Sequence, residues 1–393
     1  MPKRLLLRTA IAAALALTGL HATHAGAQEK KFKIGLIVPM TGPFASTGKQ
    51  IDIGIRTYLA LHGDKVGGRQ VEVILKDDAG LAANSKRLAQ ELVVNDKVDV
   101  LAGGGLTPLA LAAAPIATQS KTPFVNMAAQ TLSINDASPY IVRTSGTIPQ
   151  VTMGTAQWAA SNGIRKVVTL VADYAPGYES EKAFKDTFLK GGGQVVGEVR
   201  VPMKNPDFAP FLQKVRDLKP DALYVMLPSG PGAALVTQFA ARGMDKAGIR
   251  LIAHGAVMDD DNLSEAGNAA LGVVSSDYYS AAHPSEMNKK FVADFARHGK
   301  GARPNFFGVA AYDGMHVIYA AIKATKGAGN GDALLAAMKG LSFESPRGPV
   351  TLDAQTRDLV QNIYLRKVSK VNGQSYNVEF DTISDITNTG KRK

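Results

Sequence analysis

The residues best suited to bind a small ligand lie where an apolar stretch gives way to a helical pattern. Residues 33–50 read KIGLIVPMTGPFASTGKQ, an apolar run followed by a turn rich in glycine, proline and hydroxyl groups. Ligands of open α/β sheets bind at such strand ends. The hydroxyl groups of Thr41, Ser46 and Thr47 are therefore candidate ligand contacts, although each could instead only cap the following helix.

A second junction of this kind favours an anion. Residues 103–108 read GGGLTP and run into a predicted helix with Thr107 as its cap and Pro108 in its first turn. The exposed N–H groups and the helix dipole at such a start favour a carboxylate or a phosphate. The Gly-Lys-Ser/Thr ending of a nucleotide-binding P-loop is missing. We therefore expect Leu106 and Thr107 to lie at an anion-binding turn and not in a nucleotide cradle.

Both junctions belong to a chain in which apolar runs alternate with helix-period segments. This βαβ rhythm predicts a parallel sheet covered on both faces. The rhythm restarts after residues 140–144, and a length of 393 residues favours two domains. The predicted strands are 32–39, 70–76, 98–102, 123–127, 166–171, 194–201, 222–227, 250–253, 272–280, 348–352 and 362–368. The predicted helices are 47–61, 82–94, 108–119, 150–161, 178–190, 208–218, 233–241, 285–298, 306–325 and 331–339.

The amino terminus has the parts of a secretory signal peptide over residues 1–27. A basic start precedes an apolar run from Ala10 to Leu20 and the small residues Ala25-Gly26-Ala27, so we predict cleavage after Ala27. A membrane anchor would need roughly 20 continuous apolar residues, and the run from Ala10 to Leu20 is shorter than that. The pattern therefore predicts export to the periplasm.

Composition excludes several classes of function. The chain has no cysteine, which excludes disulfides, thiolate metal sites, cysteine nucleophiles and a lipid-modified cysteine. The net charge is +11, but lysine and arginine are spread along the chain and no aromatic-basic motif is present, so we expect no nucleic-acid partner. The charge predicts a solvated surface with a modest bias toward anionic solutes.

Five segments, in order along almost the whole chain, resemble the branched-chain amino-acid-binding family of type I periplasmic solute-binding proteins. They read IGLIVPMTGPFASTG, LAAAPIA before TPFV, YIVRTS, DFAPFLQKVRDLKPDALYV and NFFGVAAYDGMHVIYAAIKA. The resemblance implies an α/β fold of two doubly wound parallel-sheet (Rossmann-like) lobes joined by three hinge crossovers. It also implies that the lobes close on a small molecule and deliver it to the membrane permease subunits of an ABC importer.

The same resemblance implies how the chain divides between the lobes. The N-terminal lobe would contain residues 28–143 and 281–346, and the C-terminal lobe residues 149–274 and 353–393. The hinges would lie near 144–148, 275–280 and 348–352.

Site residues follow from the positions that match the family. The resemblance implies that the Thr107 hydroxyl binds the ligand carboxylate and that Ala128 and Gln130 add contacts, with Gln130 replacing a common threonine. The family usually has an aromatic residue where this chain has Pro176, so Tyr174 could substitute as the aromatic wall or could pack on the surface. The turn that contains Ser229 also lacks the aromatic residue often found there in the family. Thr47 replaces another aromatic residue in the first loop. Three missing rings predict a reshaped or enlarged pocket.

The loop after residue 253 points away from an amino acid. Amino-acid-binding members place a carboxylate at the position of Gly255 to hold the ammonium group, and a buried ammonium without a partner costs several kcal/mol. Unless Asp173 or an acid from residues 259–261 supplies that charge, we expect an aromatic or other organic carboxylate, with an amino acid as the alternative. His254 could donate to the ligand or be satisfied by its neighbours. We interpret Asp259-Asp260-Asp261 as an N-cap cluster and not as a metal site.

No motif of an activated nucleophile, a zinc protease or a dinucleotide site occurs in its required context. We therefore predict a binding protein with no catalytic residues, no cofactor and no metal. Its partners would be a small organic carboxylate or amino acid and the importer's membrane subunits, and we expect a monomer. A soluble sensor or co-receptor of the same fold is the alternative, and a hydrolytic enzyme is less favoured.

Overall fold

The computed structural model describes residues 31–203 and 207–392. In this part of the chain the first sheet has six strands, in the order β2-β3-β1-β4-β5-β6, and all neighbours are parallel except the β2-β3 hairpin. Its strands are β1 (Phe32–Val38), β2 (Lys65–Val66), β3 (Arg69–Asp77), β4 (Val100–Gly103), β5 (Phe124–Asn126) and β6 (Ile141–Arg143). Strands β4, β5 and β6 are buried at every position, as expected for parallel strands covered on both faces.

The second sheet joins a parallel half to an antiparallel half. Its order is β12-β13-β14-β11-β10-β9-β7-β8, and β15 pairs with β14. The parallel strands are β7 (Lys166–Ala172), β8 (Gln194–Val201), β9 (Ala222–Met226), β10 (Arg250–His254) and β11 (Val274–Asp277). The antiparallel strands are β12 (Ser342–Ser345), β13 (Gly348–Leu352), β14 (Leu359–Val371) and β15 (Gln374–Ile386).

Helices cover both sheets. They are α1 (Ala45–His62), α2 (Ala82–Val94), α3 (Thr107–Ser120), α4 (Ile148–Ser161), α5 (Ala175–Lys190), α6 (Ala209–Asp217), α7 (Gly232–Ala241), α8 (Leu263–Ala266), α9 (Glu286–His298), α10 (Phe306–Ala324) and α11 (Gly331–Met338). Helix α10 is apolar nearly all round, and it packs against α1 inside the core that includes β1. Within the described ranges, every helix is too short or too polar to span a lipid bilayer.

The chain passes between the two sheets three times. It leaves the first sheet after β6, returns from the second after β11, and enters the second again between α11 and β12. The predicted third hinge at 348–352 coincides with β13, which already belongs to the second sheet, so this passage lies earlier, between Met338 and Ser342. The other lobe boundaries stay a prediction, and the predicted signal peptide at 1–27 lies outside the described residues.

Arg347, in the turn between β12 and β13 that follows the third passage, contacts the first two passages. Its Nε donates to Asp313 Oδ2 at 2.8 Å, and its Nη1 donates to Gln361 Oε1 at 3.0 Å. Its Nη2 donates to the backbone oxygen of Thr144 in the first passage at 2.6 Å, and its guanidinium lies 4.7 Å from the ring centroid of Tyr278 in the second. Because Arg347 is only 2% exposed, its charge depends on these partners.

Removing the positive charge at this point should destabilise the protein strongly. Arg347→Met leaves the Asp313 carboxylate buried without its ion pair, which typically costs about 3–5 kcal/mol in the free energy of unfolding. Denaturant unfolding followed by the fluorescence of Trp158, the single tryptophan, measures this loss. The exposed pair Lys182–Asp186 provides the control, and Lys182→Met should cost at most about 1 kcal/mol. Equal losses in the two variants would contradict the assigned role of Arg347.

Candidate ligand-binding site

A small cavity lies between the two lobes, at the carboxyl ends of the parallel strands. The first lobe, including the start of α10, lines it with Phe44, Thr47, Gly105, Leu106, Thr107, Ala128, Ala129, Gln130, Phe306 and Phe307. The second lobe and the first passage line it with Ile148, Tyr174, Pro176, Met226, Pro228, Ser229 and Ala256. None of these lining side chains is charged. The cavity volume is about 40 Å³, room for a few water molecules, so a larger ligand must enter while the lobes stand further apart.

Eight of the twelve predicted site residues line this cavity: Thr47, Leu106, Thr107, Ala128, Gln130, Tyr174, Pro176 and Ser229. Thr107 does not cap α3, because Leu106 holds the cap position and Thr107 begins the helix. The Thr107 hydroxyl instead shares a hydrogen bond with the Thr131 hydroxyl, 2.9 Å between the oxygens. It is thereby held in the cleft at the start of α3.

Gln130 brings a buried amide to the same side of the cavity. Its side chain is 7% exposed, and its Nε2 has no hydrogen-bond partner among the described residues. An amide nitrogen carries two N–H donors, so Gln130 has capacity to bind an acceptor.

Aromatic side chains reach the cavity from positions other than those usual in the family. Phe44 comes from the first loop, Tyr174 from the turn before α5, and Phe306 and Phe307 from the start of α10. The Phe306 and Phe307 rings lie 4.0 Å apart between centroids. Burial raises the pKa of Tyr174, so its phenol stays neutral. The rings missing at Thr47, Pro176 and Ser229 are therefore replaced from elsewhere.

Four predicted residues do not line the cavity, and two of them lie at the first loop. Thr41 is exposed and donates to Asp77 Oδ2 at 2.6 Å. Ser46 donates to Asp261 Oδ2 at 2.9 Å and so joins the two lobes. Neither residue caps α1, because Phe44 holds that position without a side-chain cap.

His254 is fully buried at the end of β10 and also lies outside the cavity lining. Its Nδ1 accepts a hydrogen bond from the backbone N–H of Ala256 at 3.2 Å, which places the proton of the neutral ring on Nε2. Burial and, to a smaller extent, the nearby positive charge of Arg366 lower the pKa of His254 to about 3. The ring is therefore neutral at physiological pH and serves the backbone of its own loop.

Gly255 lies where the family's amino-acid binders carry an acid, and the structure has no room for one. A Cβ atom added there would lie 2.0 Å from Asp277 Oδ2 and 2.7 Å from Arg366 Nη2. Asp277 and Arg366 form a buried ion pair at 3.4 Å, and their side chains are at most 2% exposed. The negative charge at this place is thus already paired within the protein.

The interpretation of Asp259-Asp260-Asp261 as an N-cap cluster is wrong. Helix α8 has Asn262 at its cap position, without a side-chain cap. Asp260 accepts from the backbone N–H groups of Ala281 and Asn377, both at 3.2 Å. Asp261 accepts from Ser46, and also from Asn305 Nδ2 at 3.0 Å. These acids fasten neighbouring segments, and among the described residues no acid and histidine group is arranged to hold a metal ion.

Sequence reasoning missed Phe44, Ile148, Met226 and Ala256. Met226 ends β9 and Ala256 closely follows β10, so the rule that ligands bind at the carboxyl ends of parallel strands could have found both. Phe44 and Ile148 have apolar side chains, so no polar residue type in the sequence indicated that they line the cavity.

Comparison with known proteins places this fold and cleft in one family. Residues 31–374 match the family described as periplasmic binding protein. The chain belongs to this family. Its members are solute-binding proteins and not enzymes, and the family implies a periplasmic location. The recognition of the family and of its two-lobed fold from sequence is confirmed.

The individual relatives are described with different ligands. A Brucella abortus protein named Leu/Ile/Val-binding protein homolog 6 is 43% identical over 354 residues, 89% of this chain and 91% of the relative. A solute-binding protein of an ABC transporter from Rhodopseudomonas palustris BisB5, solved with 3,4-dihydroxybenzoic acid, is 57% identical. Its TM-score is 0.90, and the match covers 92% of this chain and 99% of that one. One from strain HaA2, solved with p-hydroxybenzoic acid, is 40% identical with a TM-score of 0.88, over 91% and 98% of the two chains.

The buried His254 predicts a loss of stability in acid. Its pKa is about 3 in the native protein and about 6.5 in the unfolded chain, so the unfolded chain binds more protons between these values. The contribution of His254 to stability is therefore complete above about pH 6.5 and falls by up to about 1.4 kcal/mol per pH unit toward pH 3.

His254→Asn keeps an acceptor for the Ala256 N–H group but cannot be protonated. Thermal unfolding at several pH values should show a smaller loss between about pH 7 and pH 4 for this variant than for the parent. His298→Asn, at the partly buried end of α9, should follow the parent. Parallel pH profiles for all three proteins would contradict the buried neutral state of His254.

Proposed function

We propose that this protein captures an aromatic carboxylate in the cleft and delivers it to the membrane subunits of an ABC importer. The observation that carries the proposal is the character of the cavity wall. It combines four aromatic rings with neutral hydrogen-bond donors and has no charged side chain among the residues that line it. A flat, apolar ring with one anionic group fits such a wall.

The first lobe offers the donors for the carboxylate. The Thr107 hydroxyl and the Gln130 amide line the cavity. The backbone N–H of Thr107 is the donor left at the start of α3, where Pro108 has no N–H and the N–H groups of Leu109 and Ala110 bond to the Leu106 oxygen. Hydrogen bonds to a charged group contribute about 1.5–3 kcal/mol each, so two or three such donors can hold a carboxylate without a cation. The positive end of the α3 dipole adds to this attraction.

An α-amino acid lacks a partner for its ammonium group. The position of Gly255 has no space for an acid. Asp173 lies at the surface, where it accepts from the Tyr178 hydroxyl. Asp259 lies behind Ser229, and its burial and the neighbouring Asp261 raise its pKa well above the ordinary value, which makes it a poor counter-ion. Similar solute-binding proteins that were solved with 3,4-dihydroxybenzoic acid, p-hydroxybenzoic acid and benzoate support the same choice of ligand class.

Closure of the lobes would couple capture to transport. The closed form is held across the cleft by the Ser46–Asp261 hydrogen bond and by the backbone N–H of Leu132, which donates to Glu179 Oε1 at 3.1 Å. A ligand that contacts both lobes binds this form better than an open one, and this difference in affinity shifts the population toward closure. The importer would recognise the closed, loaded form.

A direct comparison of ligands tests the proposed class. Isothermal titration of the mature protein should give dissociation constants for benzoate or its hydroxylated derivatives at least about a hundredfold below that for leucine. The reason is that a buried ammonium without a partner costs several kcal/mol, and about 2.7 kcal/mol corresponds to a hundredfold. Tighter binding of leucine than of every aromatic acid would contradict the proposal.

Thr107→Ala tests the carboxylate anchor. Loss of one hydrogen bond to a charged group should weaken binding of the aromatic acid by about 10- to 100-fold in the same titration. Thr118→Ala is the matched control, because Thr118 lies on the exposed side of the same helix and its hydroxyl bonds to Ser138 at 2.7 Å. Equal affinities for the two variants would show that Thr107 is not the anchor.

A further inference from the structure

Besides the Tyr174 phenol, the second lobe contributes one polar side chain to the cavity wall. Ser229, in the turn after β9, lines the cavity and is 8% exposed. The remaining second-lobe residues of the wall are apolar or, in the case of Tyr174, aromatic. A polar group at an otherwise apolar wall costs free energy unless it is hydrogen-bonded.

Ser229 is paired with a carboxyl group behind the wall. Its hydroxyl hydrogen-bonds Asp259 Oδ2, and Asp259 is 2% exposed. The other carboxyl oxygen, Asp259 Oδ1, has no hydrogen-bond partner among the described residues. The pair therefore has unused hydrogen-bonding capacity beside the cavity.

We propose that Ser229, backed by Asp259, recognises a hydroxyl group on the ligand ring, at the end remote from the carboxylate. This inference rests on the proposed function, and it narrows the ligand class from aromatic carboxylates to hydroxybenzoates. The supporting observation is that each lobe brings polar side chains of its own to the cavity. Thr107 and Gln130 line the cavity from the first lobe and Ser229 lines it from the second.

A hydroxyl group on the ligand ring is the substituent that can use the remaining hydrogen-bonding capacity of the Ser229–Asp259 pair. A serine hydroxyl that donates to Asp259 keeps its oxygen lone pairs as acceptors for the ligand hydroxyl. Burial also raises the pKa of Asp259, and in the protonated pair the serine hydroxyl donates outward to the ligand oxygen. A phenol both donates and accepts, so it satisfies the pair in either protonation state. A methoxy group accepts only, and an unsubstituted ring does neither.

Recognition by the pair would also explain how closure depends on the ligand. A benzoate anchored at Thr107 offers the second lobe only its ring, whereas a hydroxybenzoate adds a hydrogen bond across the cleft. The extra bond is formed only when the lobes are together, so it adds to the difference in affinity between the closed and open forms.

The test is a set of titrations with benzoate, 4-hydroxybenzoate and 4-methoxybenzoate. The parent protein should bind 4-hydroxybenzoate about tenfold or more tightly than benzoate, because a site built to hydrogen-bond a hydroxyl rejects a ligand that offers it no polar group. 4-Methoxybenzoate should also bind less tightly than 4-hydroxybenzoate, because its oxygen only accepts and satisfies the pair in only one protonation state. In Ser229→Ala this preference should fall to about twofold or less.

Ser85→Ala is the matched control. Ser85 is likewise buried and donates to a buried carboxylate, Asp78 Oδ2, at 2.7 Å, but it lies on α2 away from the cavity. This variant should keep the full preference for 4-hydroxybenzoate. Thermal unfolding of both variants checks that each is folded, and the ligand comparison on the parent protein stands even if Ser229→Ala does not fold.

The outcomes distinguish a failure of the hydroxyl assignment from a failure of the proposed function. If all three acids bind the parent equally, or if Ser229→Ala keeps the preference, the hydroxyl assignment is overturned while the aromatic-carboxylate function stands. If none of the acids binds the parent, the proposed function and the hydroxyl assignment are both overturned.

Discussion

The buried guanidinium of Arg347 is the constraint on which the two-lobed arrangement depends. The chain passes between the lobes three times, and this one side chain, in the turn that follows the third passage, contacts the first two through Thr144 and Tyr278. The Asp313 carboxylate neutralises it from α10. A buried charge that needs several fixed partners permits few arrangements of those partners, because each lost contact leaves the charge unsatisfied. The hinge is thus defined by one electrostatic requirement, and the strand ends that it aligns form the cleft.

Charges near the cleft are satisfied within the protein, and this determines what the cleft can accept. Asp277 is paired with Arg366 directly where an acid would have to hold an ammonium group, and Asp261 is bonded to Ser46 across the lobes. The cavity wall is consequently neutral. A neutral wall with oriented donors accepts an anion through hydrogen bonds and dipoles, but it has no carboxylate to neutralise an ammonium group. The sign of the ligand's charge therefore follows from pairings that the ligand itself never contacts.

Much of the fold could be predicted because buried parallel strands are apolar runs and surface helices have a regular period. Helix α2 has the predicted bounds, whereas β15 was missed because most of its side chains are polar or partly exposed. At the site, the strand-end loops were predictable from glycine and hydroxyl content. The partner of Ser46 was not, because Asp261 lies 215 residues away and the bond forms across the lobes. Likewise, no local pattern shows that Asp277 fills the space beside Gly255.

The central claim is that an aromatic carboxylate lies in this cleft with its anionic group on the first lobe. A crystal structure of the protein with 4-hydroxybenzoate tests it most directly. The account predicts carboxylate oxygens within hydrogen-bond distance of Thr107 Oγ1 and Gln130 Nε2, and the ring against Phe44 and Tyr174. A ligand bound in the wider surface groove of about 750 Å³ beside Lys49, or one whose carboxylate points into the second lobe, would contradict it.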